Sequence, residues 1–65
     1  MNKRLKIARI LAEKTQIQLS QETGLSRDYI SELERGVNKN PSLDVMIKIS
    51  RALNVSVQEL FLYDE

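Results

Sequence analysis

The chain has 65 residues, ten Lys/Arg against nine Asp/Glu for a net charge of +1, and neither cysteine nor histidine. Disulfides, an ordinary Cys/His zinc site and a histidine general base are therefore excluded, and no cofactor is implied. A domain this small buries only roughly 60% of the surface its unfolded chain exposes, so the core must come from Leu and Ile, with Tyr29, Phe61 and Tyr63 the only aromatics.

No stretch alternates like a strand, while several repeat at helical spacing, which predicts an all-α chain. Leu5, Ala8, Arg9 and Ala12 share one face of a first helix, about residues 2–13, and Ile7, Ile10 and Leu11 form a second apolar stripe on it. Thr15-Gln-Ile-Gln18 has capping-box form and starts a second helix, about 16–22. Gly24 tolerates positive φ, Ser26 caps a third helix, about 27–35, and Gly36 ends it. Val37 to Pro41 is loop-like, because a proline disfavours helix at the preceding Asn40. Ser42 caps a fourth helix, about 43–53, in which Leu43, Met46, Ile47, Ile49 and Leu53 form an inward stripe before Asn54 takes the left-handed conformation. Ser56-Val-Gln-Glu59 forms a second capping box and starts a short fifth helix, about 57–61, leaving Tyr63 to Glu65 as a frayed tail. No repeat or linker interrupts this order, so residues 1–65 read as one domain.

The longest apolar run is Leu60 to Tyr63, far below the roughly 18 residues of a membrane span, and Arg9 breaks any signal-peptide core. A cytoplasmic protein with no membrane partner is expected. Charge is unevenly spread: residues 1–14 carry five basic residues against Glu13, a local +4, whereas residues 15–36 sum to −2. The basic N-terminal helix could meet phosphates. The acidic middle opposes that.

The joint between the second and third helices carries the functional signal. A helix-turn-helix needs a tight turn and apolar residues where its helices touch. Counting Gln16 as the first motif position, Leu19, Leu25, Ile30 and Leu33 fall at the contacts, Gly24 at the turn and small Ser20 at the closest approach. The Ser20 hydroxyl is expected to bond a carbonyl inside its own helix. A solvated face remains the plain alternative for Arg27, Asp28, Glu32 and Arg35, since Asp28–Glu32 and Arg27–Ser31 are i,i+4 neighbours.

The chain resembles the lambda-repressor-like family of Cro and phage-repressor (Xre) type, known from prokaryotes and phage. The resemblance runs from about Leu5 to Phe61 and rests on Arg9, Thr15-Gln16, Leu19, Gly24-Leu25-Ser26, Tyr29-Ile-Ser31, Leu33-Glu34-Arg35-Gly36, Pro41-Ser42-Leu43, Ala52-Leu53 and Val55-Ser56. The loop ending Asn-Pro-Ser looks particularly like bacterial repressors of the biofilm and sporulation-switch type. The resemblance implies a compact five-helix DNA-binding fold with the motif in helices two and three. It further implies a sequence-specific transcriptional regulator that represses through an inverted-repeat operator, as a homodimer on double-stranded DNA. Arg27, Asp28, Ser31 and Glu32 match its base-reading positions; Gln16, Tyr29, Arg35, Asn38, Lys39 and Asn40 would meet the DNA backbone. Arg9 and Glu34 match a pair that forms a partly buried ion pair.

Ile7, Ile10, Leu11 and Ile17 stand where this family usually has polar residues, and Ala8 replaces a larger core residue. Either Ile7 or Leu11 fills the space Ala8 leaves, or Ile7, Ile10 and Leu11 form a surface for self-association or a protein partner. The second possibility gives an alternative function, a protein-interaction module that keeps the same fold. An enzyme is not indicated, because the chain has no histidine, cysteine, glycine-rich phosphate loop or carboxylate pair with a cleft.

Overall fold

The structure, a computed structural model, describes residues 3–37 and 40–62. Five helices follow one another: α1 (Lys3–Leu11), α2 (Gln16–Thr23), α3 (Arg27–Arg35), α4 (Leu43–Leu53) and α5 (Val57–Phe61). Each start from α2 onward is set by a hydroxyl cap. Thr15 forms both arms of its box, its Oγ1 accepting from Gln18 N at 3.0 Å while Gln18 Oε1 accepts from Thr15 N at 2.8 Å. Ser26, Ser42 and Ser56 accept from the amides of Tyr29, Val45 and Glu59, which removes one orphan donor from each helix.

The ends of the helices are as specific. Gly36 and Asn54 take left-handed conformations after α3 and α4. α1 stops at Leu11, short of the expected residue 13, because Glu13 takes φ 57° and reverses the chain. The bonds Lys14 N to Arg9 O (3.2 Å) and Glu13 N to Ile10 O (2.9 Å) close a Schellman motif there. A left-handed non-glycine costs roughly 1–2 kcal/mol, against about 0.4–1 kcal/mol of extra unfolded-state entropy from a glycine. Glu13→Gly is thus expected to stabilise the fold by about 0.5–1 kcal/mol, read as a raised thermal midpoint. A lowered midpoint would show that the glutamate side chain contributes more than the strain costs.

Leu5, Leu19, Ile30, Leu33, Ile49, Leu53 and Leu60 form the core, so every helix contributes at least one fully or nearly fully buried residue. α1 packs on α3 and α5, α2 on α3 and α4, and α4 on α5. Tyr29, Leu25, Ala8 and Ala12 pack around this cluster. Leu43 departs from the expected inward stripe: it is 63% exposed. It opens α4 directly after the cap and lies about 120° around the helix from Ile49, at 100° per residue, so it points away from the buried side that Ile49 and Leu53 define.

The α2–α3 joint is stitched by side chains as well as backbone. Gly24 has φ 74°, and its amide reaches Ser20 O at 2.9 Å. Nothing lies within 4 Å of where a Gly24 Cβ would stand, so its backbone angle and not crowding calls for glycine. The Ser20 hydroxyl donates across the turn to Leu25 O at 2.6 Å. It does not bond a carbonyl within α2, because the reversal at Gly24 brings an unpartnered carbonyl of the turn to it. The buried Thr23 hydroxyl donates to Leu19 O at 2.7 Å and accepts from Leu25 N at 3.3 Å. Both backbone polar groups of Leu25 are therefore satisfied within the joint, which fixes the angle at which α3 leaves α2.

Candidate nucleic-acid interface

α3 has a sharp division of faces. Ile30, Leu33 and Glu34 are buried; Arg27, Asp28 and Arg35 are exposed; Ser31, Glu32 and Tyr29 are half-buried. Arg27 and Asp28 stand in the first turn, beside the Ser26 cap, where a helix laid into a groove presents its tips. Four positions named from the sequence (Arg27, Asp28, Ser31 and Glu32) thus share the side away from the core, with the two later ones set deeper than the first two. Tyr29 packs against the core cluster.

Behind this face, Arg9 and Glu34 form an ion pair at 2.6 Å with side-chain exposures of 12% and 4%. Glu34 accepts Arg9 Nε at Oε2 (2.6 Å) and, at Oε1, Arg9 Nη2 (3.2 Å) and Gln16 Nε2 (3.1 Å). The remaining arm of Arg9, Nη1, donates to Lys14 O at 2.9 Å. One buried carboxylate on α3 is thereby tied to α1, to the α1–α2 loop and to the first residue of α2. Bidentate, charge-assisted bonds of this kind fix geometry as well as energy. They also orient Gln16, whose second amide N–H stays available beside the unsatisfied N-terminal amides of α2. Lys14 has a different task, bonding Glu22 Oε1 at 2.6 Å and Ala52 O at 2.6 Å, which ties the loop to α2 and to the C-terminal end of α4.

Two open clefts flank α1. One, about 610 Å³, lies between α1, the start of α2 and α3, and its walls include Lys3, Lys6, Arg9, Gln16, Ser31 and Arg35. The structure thus joins Gln16, Ser31 and Arg35 to Lys3 and Lys6 of α1, which the sequence placed only in a basic N-terminal segment able to meet phosphates. The second cleft, about 490 Å³, runs between α1 and α5 over Ala8, bordered by Ile7, Leu11, Val55 and Leu60. Ile7, Ile10 and Leu11 are 54%, 54% and 78% exposed. Neither Ile7 nor Leu11 fills the space beside Ala8, so the repacking expectation is corrected: the stripe is a surface. Asn40 is exposed, and Asn38 and Lys39 lie outside the described residues. Among the described residues there is no acidic or metal-ligand cluster able to hold a cation, and no helix is long and apolar enough to cross a membrane.

A protein-family model described as Helix-turn-helix matches residues 5–60. The chain belongs to this helix-turn-helix family. It is 48% identical over 44 residues to the HTH-type transcriptional regulator SlrR of Bacillus subtilis, covering 68% of this chain and 29% of that protein. Over its whole 65 residues it is 37% identical to an HTH-type transcriptional regulator of Archaeoglobus fulgidus, covering 90% of it. The crystal structure of SinR, the master regulator for biofilm formation, in complex with DNA superposes with a TM-score of 0.86 at 32% identity, over 91% of this chain and 94% of that one. The chain thus spans less than a third of SlrR and most of the archaeal relative. The family resemblance and the five-helix architecture read from the sequence are both borne out.

Proposed function

We propose that this chain is a sequence-specific DNA-binding transcriptional regulator of the cytoplasm, a repressor that binds an inverted-repeat operator as a homodimer. The carrying observation is α3 itself: Arg27 and Asp28 are exposed in its first turn while Ile30, Leu33 and Glu34 lock the helix behind them. A rigid helix with its tips outward is what reads base edges in a major groove. The DNA complex formed by SinR, whose fold this chain shares over 91% of its length, supports the same use of the motif.

Arg27 would take O6 and N7 of a guanine, and Glu32 would accept from the amino group of a cytosine, with Asp28 and Ser31 completing the base-reading set. The acidity of α3 is then a means of discrimination, since a carboxylate accepts from cytosine N4 and repels a misplaced phosphate. Gln16, Tyr29, Arg35, Asn38, Lys39 and Asn40 would hold the backbone. One small module buries little surface, so pairing on two half-sites about one helical turn apart supplies the affinity. Binding to duplex DNA should weaken steeply with salt, with a log–log slope near −0.9 for each phosphate neutralised. A slope near zero would refute DNA binding and favour the second reading, a protein-interaction module. The exposed stripe of Ile7, Ile10 and Leu11 is the specific observation in its favour.

A further inference from the structure

We infer that Lys3 and Lys6 of α1 form a phosphate clamp outside the helix-turn-helix motif, extending the DNA contact beyond the half-site that α3 reads. The inference rests on the DNA-binding reading above and adds two residues that it does not use.

The argument begins with charge in the α1–α2–α3 cleft. Among the described residues, Lys3, Lys6, Arg9 and Arg35 converge there with a single carboxylate, Glu34. That carboxylate is already consumed, since it accepts two bonds from Arg9 and one from Gln16. Arg9 spends its remaining nitrogen on Lys14 O. The pair is therefore neutral and closed, and among the described residues Lys3, Lys6 and Arg35 remain as three cations without an ion-pair partner around one open cleft. Lys3 and Lys6 are exposed and form no ion pair among the described residues. Asp28 and Glu32 do not line the cleft.

Like charges gathered in this way repel one another in the free protein, and a polyanion relieves the repulsion. The position suits one. The same cleft includes Ser31, on the proposed reading face, and Gln16, the first residue of α2. A duplex read by α3 would pass its sugar-phosphate strand along Gln16 and Arg35, and the two lysines continue that line onto α1. Flexible lysines act there as point charges toward phosphate, so the contact adds affinity and carries no base preference.

The test compares salt dependence across charge-matched variants on one duplex. Lys3→Gln/Lys6→Gln should lower the magnitude of the log–log slope by about 1.8 and weaken binding roughly 10–100-fold at 0.1 M salt, with the order of preferred sequences unchanged. Lys48→Gln/Arg51→Gln removes the same charge from exposed positions on α4 that do not line the cleft, and should change the slope far less. Lys3→Arg/Lys6→Arg should restore wild-type behaviour, and thermal midpoints of all three should match wild type because the side chains are exposed. Equal slope losses in the cleft and α4 variants would overturn the clamp while leaving DNA binding in place. A wild-type protein with no steep salt dependence would overturn the DNA-binding reading and the clamp with it.

Discussion

Replacing Arg9 with methionine is expected to destabilise the fold by about 3 kcal/mol, because breaking a buried pair strands the surviving charge. Glu34 is 6% exposed and would keep only Gln16 as a partner of the three donated bonds it now accepts. Against a total stability of roughly 3–10 kcal/mol for a domain of this length, that loss would leave a large unfolded fraction. The double substitution Arg9→Met/Glu34→Leu should cost clearly less than the sum of the two single changes, since it removes the stranded charge together with its partner. Urea midpoints for wild type, both single variants and the double variant decide the matter. Small and equal losses from both single changes would mean that the pair is solvated and contributes as little as a surface bridge. The functional consequence follows from Gln16: without Glu34 its amide is no longer held at the start of α2, so a variant that still folds should bind DNA more weakly.

Arg27→Ala is expected to weaken DNA binding by about 1–3 kcal/mol and to relax the preference at one base pair per half-site, from a guanine to a mixture. The side chain is exposed in the first turn of α3, so fold stability should hardly move, which separates its effect from that of Arg9. A loss spread evenly over all sequences would instead make Arg27 a phosphate contact. The comparison with the α1 lysines is informative, because their removal should give that even loss by design. The two kinds of variant therefore test opposite halves of the same interface.

Much of the architecture could be read from short-range chemistry. Thr15, Ser26, Ser42 and Ser56 announce helix starts by hydroxyls three residues ahead of an amide they can satisfy, and Gly24, Gly36 and Asn54 announce ends through the one backbone region they tolerate better than other residues. What escaped reading depends on contacts distant in sequence or on backbone reversals without a glycine. Glu13 takes the left-handed conformation with no compositional sign, so helical periodicity runs on to residue 13 whereas α1 ends at Leu11. Leu43 fits an i,i+3,i+4 pattern by count and still lies off the axis of the buried stripe. Ser20 and Thr23 look like ordinary helical hydroxyls, and only the folded turn shows that both serve Leu25. The site divides the same way: the α3 face is visible from helical periodicity, whereas the neighbourhood of Lys3 and Lys6 with Gln16 and Arg35 requires α1 to be docked against α2 and α3.

Ile7, Ile10 and Leu11 form an exposed apolar stripe on α1, the surface on which the proposed pairing of two copies would draw. Burying apolar side chains contributes about 25 cal/mol per Å², and the cleft over Ala8 offers a recess into which another side chain could insert. The most direct test of the central claim is selection from a random duplex library at low salt, repeated on the winners at higher salt, with folding verified by circular dichroism. The account predicts an enriched inverted repeat, half-sites about one helical turn apart, and binding that falls steeply with salt. Folded protein that enriches no sequence would contradict it, and would place the function of the chain on the apolar face of α1.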